Sequence, residues 1–232
     1  MIRVSNPSLD RLILDHLTSL YKLKTKRSGT HLSTLLYCLT RSYFDQTSPI
    51  EPTDEEVMLF ALGLGLQDEF TPADAIVPVY EKEGITFSPD FVLKLNGSGY
   101  NELKTTRASM KKFLLDGGIP ETWIEYIKGG CYMMGVKEYN LAVLFMMGNY
   151  APPFPTVHSE TLVFEPEELA ANWDYLLTRK AVYEQSLTSK HPPEPFKYCK
   201  KWECEHCRYY TICSALAIVI EGESDADAVN RS

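Results

Sequence analysis

The sequence lacks the features of a membrane or secreted protein. Its 232 residues contain no run near the ~20 consecutive apolar residues that a membrane-spanning helix requires. The amino terminus has neither the apolar stretch nor the small-residue cleavage site of a signal peptide. We therefore expect a cytoplasmic protein with no membrane partner.

The sequence also has fewer basic than acidic residues. The chain has 23 Lys and Arg against 31 Asp and Glu, for a formal net charge of −8. This balance argues against a general polyanion binder, because contacts to phosphate depend on Lys and Arg. The basic residues cluster in segments 21–27, 104–112 and 197–208. Each cluster is either a solvated face or a local contact for a nucleic-acid backbone.

The cysteines lack the spacing of a common zinc ribbon, in which two Cys-x2-Cys pairs stand about fifteen or more residues apart. Disulfides are not expected in a reducing compartment. Even so, Cys204, Cys207 and Cys213 fall within ten residues and have basic neighbours that favour thiolates, which indicates a metal site. An atypical zinc site and an iron–sulfur cluster both fit this spacing.

Apolar residues at helical spacing predict three helices in the first third of the chain. They cover residues 9–20, 30–44 and about 53–67. Ser8 is the expected N-cap of the first helix, and Cys38 lies inside the second. The third helix starts at a capping box formed by Thr53 and Glu56.

Strands and helices alternate in the remainder of the chain, which predicts an α/β domain with a mixed sheet. The predicted strands cover residues 76–81, 85–95, 101–106, 139–148 and 161–166, with a turn at 96–99. Helices are predicted from Pro120 and over about 166–185. The predicted units are an N-terminal helix with a basic linker (1–28), a core (29–196), a cysteine segment (197–220) and a disordered tail (221–232).

The predicted hairpin carries three charged residues of catalytic type. Side chains alternate along a strand, so Glu102 and Lys104 share a face, which Asp90 reaches if the strands pair. Two carboxylates suit Mg²⁺ or Mn²⁺, and a nearby ammonium can orient a water molecule. The alternative is a surface salt bridge on an ordinary hairpin.

The stretches "SPDF" and "ELKTTR" resemble the PD-(D/E)XK motif of RecB-like nucleases, specifically the branch with the CRISPR-associated iron–sulfur exonucleases. The resemblance implies a restriction-endonuclease-like core, with a mixed central sheet flanked by helices, and a Mg²⁺- or Mn²⁺-dependent DNA exonuclease. It implies that Asp90, Glu102 and the Leu103 carbonyl hold the metal and that Lys104 assists water activation.

Two further family motifs imply additional site residues. The Gly-x-x-x-His/Glu motif is similar to Gly63 followed by Gln67, which we prefer to Gly65 followed by Glu69 because it keeps the surrounding spacing. Gln67 is then a further metal ligand, although a neutral amide binds a cation more weakly than a carboxylate.

The family's Gln-x-x-x-Tyr motif is similar to "KGGCY", which implies that Lys128 and Tyr132 bind substrate. Helix packing is the alternative role for Tyr132. Arg107, in the basic segment 104–112, is expected to contact the DNA backbone.

The same branch places one cysteine before the core and three at the C-terminus as Cys-x2-Cys-x5-Cys. The matching residues are Cys38, Cys204, Cys207 and Cys213. The resemblance therefore implies a structural [4Fe–4S] cluster that packs segment 197–220 back on the core. Cys199 is expected to be a non-ligand, and Cys131 a core residue.

The resemblance also implies the setting: a bacterial, archaeal or phage-infected cell, DNA with single-stranded ends as substrate, and CRISPR adaptation or recombination proteins as partners. Oligomer formation is compatible with it. The competing interpretation is a DNA- or partner-binding module with little or no cleavage, which Gln67, Lys128 and the net acidity favour. A zinc-stabilised interaction domain is the third interpretation.

Overall fold

The computed structural model describes residues 7–24, 29–93, 99–115, 118–146, 156–205 and 207–229. The helices are α1 (Pro7–Lys24), α2 (Leu32–Leu36), α3 (Leu39–Thr47), α4 (Asp54–Phe70), α5 (Met110–Leu115), α6 (Glu121–Met134), α7 (Pro166–Ser189), α8 (Lys201–Cys204) and α9 (Tyr210–Val229). The strands are β1 (Thr30–His31), β2 (Tyr80–Lys82), β3 (Ile85–Phe87), β4 (Phe91–Val92), β5 (Tyr100–Thr106), β6 (Glu138–Phe145) and β7 (Thr156–Val163). In the described part of the chain, no helix has the length and apolar character needed to cross a membrane.

Two mixed sheets form the framework. One has the order β1-β3-β2, with β1 parallel and β2 antiparallel to β3. The other has the order β4-β5-β6-β7, in which β5 and β6 run parallel and the outer pairs are antiparallel. This arrangement, with helices against the sheets, agrees with the predicted mixed α/β class. It also puts β5, which carries Glu102, inside its sheet.

The core joins α2, α3, β3 and β6 to the helices α6 and α7. Alternate residues of β6 are buried, including Tyr139, Leu141 and Val143, as expected for a strand that faces packed helices. Gly130 lets α6 approach the three-stranded sheet, because a Cβ there would lie 2.5 Å from the Cζ of Phe87. The buried core therefore requires a residue without a side chain at this position.

The predicted helix over residues 30–44 is broken. Helix α2 ends at Leu36 and α3 begins at Leu39, so Cys38 lies at the junction rather than inside a helix. Cys38 is the N-cap of α3, and its Sγ accepts a hydrogen bond from the Arg41 backbone N–H at 3.5 Å. The sequence did not indicate this break, because apolar residues continue at helical spacing from Leu32 to Leu39.

A buried arginine explains why the chain breaks there. Arg179 of α7 donates through its Nε to the Leu35 carbonyl and through its Nη2 to the carbonyls of Tyr37 and Tyr198, at 2.7 and 3.0 Å. Carbonyls of the α2 end are thereby satisfied by a side chain instead of by a continuing helix. The arginine comes from more than 140 residues away, as the sequence separation of 144 between Arg179 and Leu35 shows.

Other boundaries differ from the predictions for local reasons. In the segment predicted as strand 76–81, Ile76 makes an isolated bridge to Val92, and regular pairing begins only at Tyr80, beyond Pro78. Pro89 likewise divides the predicted strand 85–95 into β3 and β4. The turn predicted at 96–99 lies mostly outside the described residues, which omit 94–98.

Helix ends also differ. Helix α1 starts at Pro7, a residue suited to a first helical turn, so Ser8 is within the helix rather than its N-cap. The capping box of Thr53 and Glu56 is present as predicted. At the C-terminus, α9 extends to Val229, into the segment predicted as a disordered tail, and the disorder of that tail stays a prediction.

Candidate active site

Asp90 and Glu102 lie close together because Pro89 interrupts the chain between β3 and β4 and the interruption lies next to β5. Asp90 follows Pro89 in the gap between β3 and β4, where its side chain is not committed to a strand face. Its Oδ2 accepts a hydrogen bond from the Leu103 backbone N–H at 2.7 Å. Glu102, the preceding residue of β5, is only 1% exposed. The structure thus brings together the two carboxylates predicted from the sequence.

Lys104 completes this group. Its Nζ donates to Glu102 Oε1 at 2.5 Å and lies 5.1 Å from the ring centroid of Tyr126. Burial alone would lower the pKa of Lys104, but the Glu102 and Asp90 carboxylates outweigh it and raise that pKa. Lys104 is therefore an ammonium ion held at the cavity wall.

Glu102 has a strongly perturbed acidity. Burial raises the pKa of its carboxyl to about 7, the nearby Asp90 carboxylate adds to the rise, and Lys104 opposes it. The Tyr139 hydroxyl donates to Glu102 Oε2 at 3.5 Å. The ionised carboxylates of Asp90 and Glu102 repel each other in this partly buried site. A cation bound between them would reduce that repulsion.

Gln67 also reaches the site. From α4, its Nε2 donates to Asp90 Oδ1 at 2.8 Å. In this orientation the amide is a donor to the carboxylate; rotation of the amide by half a turn would present its Oε1 instead. Gln67 thus lies where a third side-chain ligand of the metal was predicted, but its amide nitrogen binds Asp90 instead of presenting its oxygen to a cation.

These residues share one cavity of 530 Å³. Its lining consists of Ser33, Leu36, Tyr37, Phe60, Gly63, Gln67, Asp90, Glu102, Leu103, Lys104, Thr105, Thr122, Trp123 and Tyr126. The volume is in the range of small-ligand sites. The mixture of charged groups and aromatic rings suits an anionic ligand that also has flat apolar parts.

The donor set fits a hard divalent cation. Within the described residues, no group of three or more His, Cys, Asp or Glu side chains is arranged to hold a metal ion. Mg²⁺ does not require such a group, since it commonly binds through one or two carboxylates and keeps several waters. Asp90, Glu102 and the Leu103 carbonyl are oxygen donors of the type that such ions prefer.

The structure does not bring the predicted substrate-binding residues to the cavity. Lys128 Nζ pairs with Glu168 Oε1 at 2.9 Å. Tyr132 stacks on Trp173, with ring centroids 5.0 Å apart, and so follows the packing alternative. Arg107 is exposed just after the end of β5 and is not part of the cavity lining.

An earlier part of the same helix faces the cavity instead. Thr122 and Tyr126 have the four-residue spacing of the Gln-x-x-x-Tyr motif, and both line the cavity together with Trp123. The four-residue spacing of the motif correctly indicated that α6 contributes to the site. Only the packing of α6 shows which of its turns faces β5. Tyr37, which is 38% exposed, also lines the cavity, and nothing in its sequence context indicated this.

The cysteines predicted to act together come from both ends of the chain. Cys38 and Cys213 are buried, and Cys204 and Cys207 are partly buried. Burial raises the pKa of the Cys213 thiol to about 11, with further contributions from Cys38, Cys207 and Cys204. The other three thiols thus contribute to the raised pKa of Cys213. Cys131, the expected core residue, is fully buried in α6.

Protein contacts hold the cysteine segment on the core. The Cys38 backbone N–H donates to Glu203 Oε1 at 2.8 Å, and the Lys200 N–H donates to Glu203 Oε2 at 2.7 Å. The Leu39 N–H donates to the Tyr198 carbonyl at 3.3 Å. These bonds join the α2–α3 junction to the segment before and within α8. All of these cysteines are free thiols, and in the described part of the chain they do not form a group of three or more that is arranged to hold a metal ion.

Comparisons with known proteins give a likeness at the level of fold. No family model matches the sequence, and no curated protein matches it significantly. A crystal structure of SSO0001 superposes with a TM-score of 0.51 and 13% identity, covering 90% of this chain and 97% of that chain. This likeness shows a shared fold.

Two further structures superpose at lower scores. LHK-Exo from Laribacter hongkongensis in complex with dAMP gives a TM-score of 0.48 and 10% identity, over 70% of this chain and 91% of that chain. A phage related exonuclease from Haemophilus somnus 129PT gives 0.45 and 9%, over 72% and 98%.

Proposed function

We propose that this chain is a Mg²⁺- or Mn²⁺-dependent deoxyribonuclease, an exonuclease that hydrolyses phosphodiester bonds at single-stranded DNA ends. The observation that carries the proposal is the shared cavity of Asp90, Glu102 and Lys104, with the Leu103 N–H bound to Asp90. These residues match the PD-(D/E)XK pattern of the RecB-like nucleases. The pattern and the contacts therefore support the same chemistry independently.

The proposed division of labour follows from the contacts. Asp90, Glu102 and the Leu103 carbonyl would hold the cation, and Gln67 would contribute its amide oxygen after rotation. A bound divalent ion supplies positive charge to the phosphate and acidifies water. Lys104 keeps an ammonium group beside the carboxylates, where it can orient a water molecule and stabilise charge that develops on the phosphate.

Aromatic side chains support the preference for single-stranded DNA. Tyr37, Trp123 and Tyr126 line the same cavity as the carboxylates. Unpaired bases expose faces that stack on such rings, whereas paired bases inside a duplex do not. The exposed Lys111 and Lys112 of α5 lie in the basic segment that also contains Arg107, and this segment is proposed to follow the backbone.

The test is cleavage of end-labelled single-stranded DNA with Mn²⁺, using 5′ and 3′ labels in parallel. Lys104→Ala should lower the rate at least about 10²-fold, the effect expected for loss of a group acting in proton transfer. Lys180→Ala is the matched control, because Lys180 pairs with Glu184 on α7 and does not line the cavity. Equal rates for wild type and Lys104→Ala would overturn the assignment.

A second candidate is a DNA- or partner-binding module with weak or no cleavage. The observation that favours it is the hydrogen bond from Gln67 to Asp90, which occupies a carboxylate oxygen with a neutral donor. DNA retention without cleavage in Mg²⁺, Mn²⁺ and Ca²⁺ would select this function. Cleavage that Lys104→Ala abolishes would reject it.

The thiol centre is the second part of the proposal. Cys38, Cys204, Cys207 and Cys213 would hold a [4Fe–4S] cluster that stabilises the contact between the chain ends. Iron and acid-labile sulfide in anaerobically purified protein test this point, and zinc without sulfide would overturn it. From the family resemblance we further propose that the protein acts on DNA ends in CRISPR spacer acquisition or phage recombination. This action would take place in the cytoplasm, and it is compatible with an oligomeric protein.

A further inference from the structure

Tyr126 contacts two parts of the candidate active site at once. It belongs to the second turn of α6 and lines the cavity together with Lys104 and Asp90. Lys104 Nζ lies over its ring, 5.1 Å from the centroid. Its hydroxyl donates to the Ser88 carbonyl at 3.4 Å. One side chain of α6 therefore joins Lys104 to the segment that carries Asp90.

The core fixes the ring of Tyr126. Phe87 of β3 packs against it, with ring centroids 5.2 Å apart and an angle of 57° between the two planes. Phe87 is itself fully buried. Because its ring packs on Phe87 and its hydroxyl bonds to Ser88, the side chain of Tyr126 is restrained at two points. A ring held in this way can define the position of a group that lies over it.

Lys104 needs a second restraint because its ammonium group sits on a long, flexible stem. Its Nζ donates to Glu102 Oε1 at 2.5 Å. Under the proposed function Glu102 also binds a cation, which would weaken this bond. The negative face of an aromatic ring attracts an ammonium ion within about 6 Å, and this attraction uses no carboxylate. Tyr126 thus supplies a restraint on Lys104 that does not depend on Glu102.

We propose that Tyr126 is a positioning residue: its ring face holds the Lys104 ammonium group at the cavity wall, and its hydroxyl fixes the Ser88 carbonyl two residues before Asp90. The inference rests on the proposed nuclease function and gives Tyr126 a role separate from base stacking. A ring face that Lys104 occupies is not free for a base. Stacking in the cavity then falls to Tyr37 and Trp123.

The same helix offers a matched control. Tyr132 also has a lysine over its ring, with Lys82 Nζ 4.4 Å from the centroid, but Tyr132 does not line the cavity. Both tyrosines are partly buried. A change in ring charge that merely disturbs α6 should therefore act at both positions. A change that acts through Lys104 should act only at Tyr126.

The experiment replaces Tyr126 in the full-length chain by phenylalanine and by mono-, di- and trifluorinated phenylalanine. Fluorine withdraws charge from the ring face and hardly changes the size of the ring, so the attraction to the ammonium group falls in steps. In the Mn²⁺ cleavage assay, kcat should fall in the same steps, by about tenfold in total. KM should change less than about twofold, because Lys104 acts on the reaction step. The same series at Tyr132 should leave the rate unchanged.

A second measurement needs neither cleavage nor metal. In the NMR spectrum, the methylene signal next to Lys104 Nζ should lie upfield of the other lysines, because the ring current of Tyr126 shields it. Tyr126→Leu should remove this displacement, and Lys104→Arg identifies the signal. A Lys104 signal that is not displaced in wild type, or that keeps its displacement in Tyr126→Leu, would overturn the proposal.

The two measurements separate this proposal from the nuclease function. Equal cleavage rates across the fluorinated series at Tyr126 would show that the ring face does not act through Lys104, and would overturn the positioning role alone. If wild type cleaves no DNA, the nuclease function fails, and the displacement of the Lys104 signal still decides whether Tyr126 holds the ammonium group.

Discussion

Raising the pH should destabilise the protein through Glu102 when no divalent metal is present. The folded state raises the pKa of this carboxyl from 4.5 to about 7, so it binds a proton more tightly than the unfolded chain does. The stabilisation is complete below about pH 4.5 and is lost as the pH rises to about 7. Each pKa unit corresponds to about 1.4 kcal/mol, which gives a loss of about 3 kcal/mol across this window.

Thermal unfolding of wild type and Glu102→Gln between pH 4 and pH 8 measures this loss. For a chain of this size about 3 kcal/mol corresponds to about 6–12 °C in Tm. Relative to Glu102→Gln, wild type should therefore lose stability as the pH rises, while Glu184→Gln, on the surface of α7, should track wild type. A difference between wild type and Glu102→Gln that does not change with pH would refute the reasoning.

Added Mn²⁺ extends the same experiment. A cation that binds only the folded state at 100 times its Kd stabilises by about 2.7 kcal/mol, which is close to the loss expected from Glu102. At pH 8, Mn²⁺ should therefore restore much of the Tm of wild type and much less of that of Glu102→Gln. An equal gain in both proteins would mean that Mn²⁺ binds elsewhere.

Two further predictions concern the framework. In urea unfolding, Gly130→Ala should lower the free energy of unfolding by about 1–3 kcal/mol, because the added Cβ would clash with Phe87. Gly65→Ala, which has open space around it in α4, should raise it by about 0.5–1 kcal/mol. Equal effects of the two substitutions would contradict the described packing. Arg179→Met should cost about 3 kcal/mol or more, because three backbone carbonyls lose a charged donor, and a loss below about 1 kcal/mol would show that water replaces it.

Local signals in the sequence predicted the framework where local interactions decide it. The capping box of Thr53 and Glu56 fixed the start of α4, since both hydrogen bonds lie within four residues. The buried run of β6 was likewise predictable from its apolar residues. The charged trio also came together as predicted, because β5 presents Glu102 and Lys104 in a fixed alternation.

Features set by distant contacts were not predictable in this way. The junction at Cys38 depends on Arg179, which no local pattern relates to it. Lys128 and Tyr132 matched a motif by spacing, but rotation of α6 against the sheet turns Thr122 and Tyr126 toward the cavity. Helical spacing repeats along a helix, so spacing alone does not identify the turn that faces a site.

The junction between α2 and α3 joins the two candidate sites through a single peptide bond. Tyr37 lines the carboxylate cavity, and the next residue, Cys38, belongs to the thiol group. If both proposed sites are occupied, ligand binding next to Tyr37 and metal binding at Cys38 would depend on the conformation of the same peptide. Any such coupling is reciprocal: if metal loading tightens nucleic-acid binding by some factor, nucleic acid must tighten metal binding by that same factor. Under the proposed function, the occupancy of the thiol centre would then depend on whether DNA is bound.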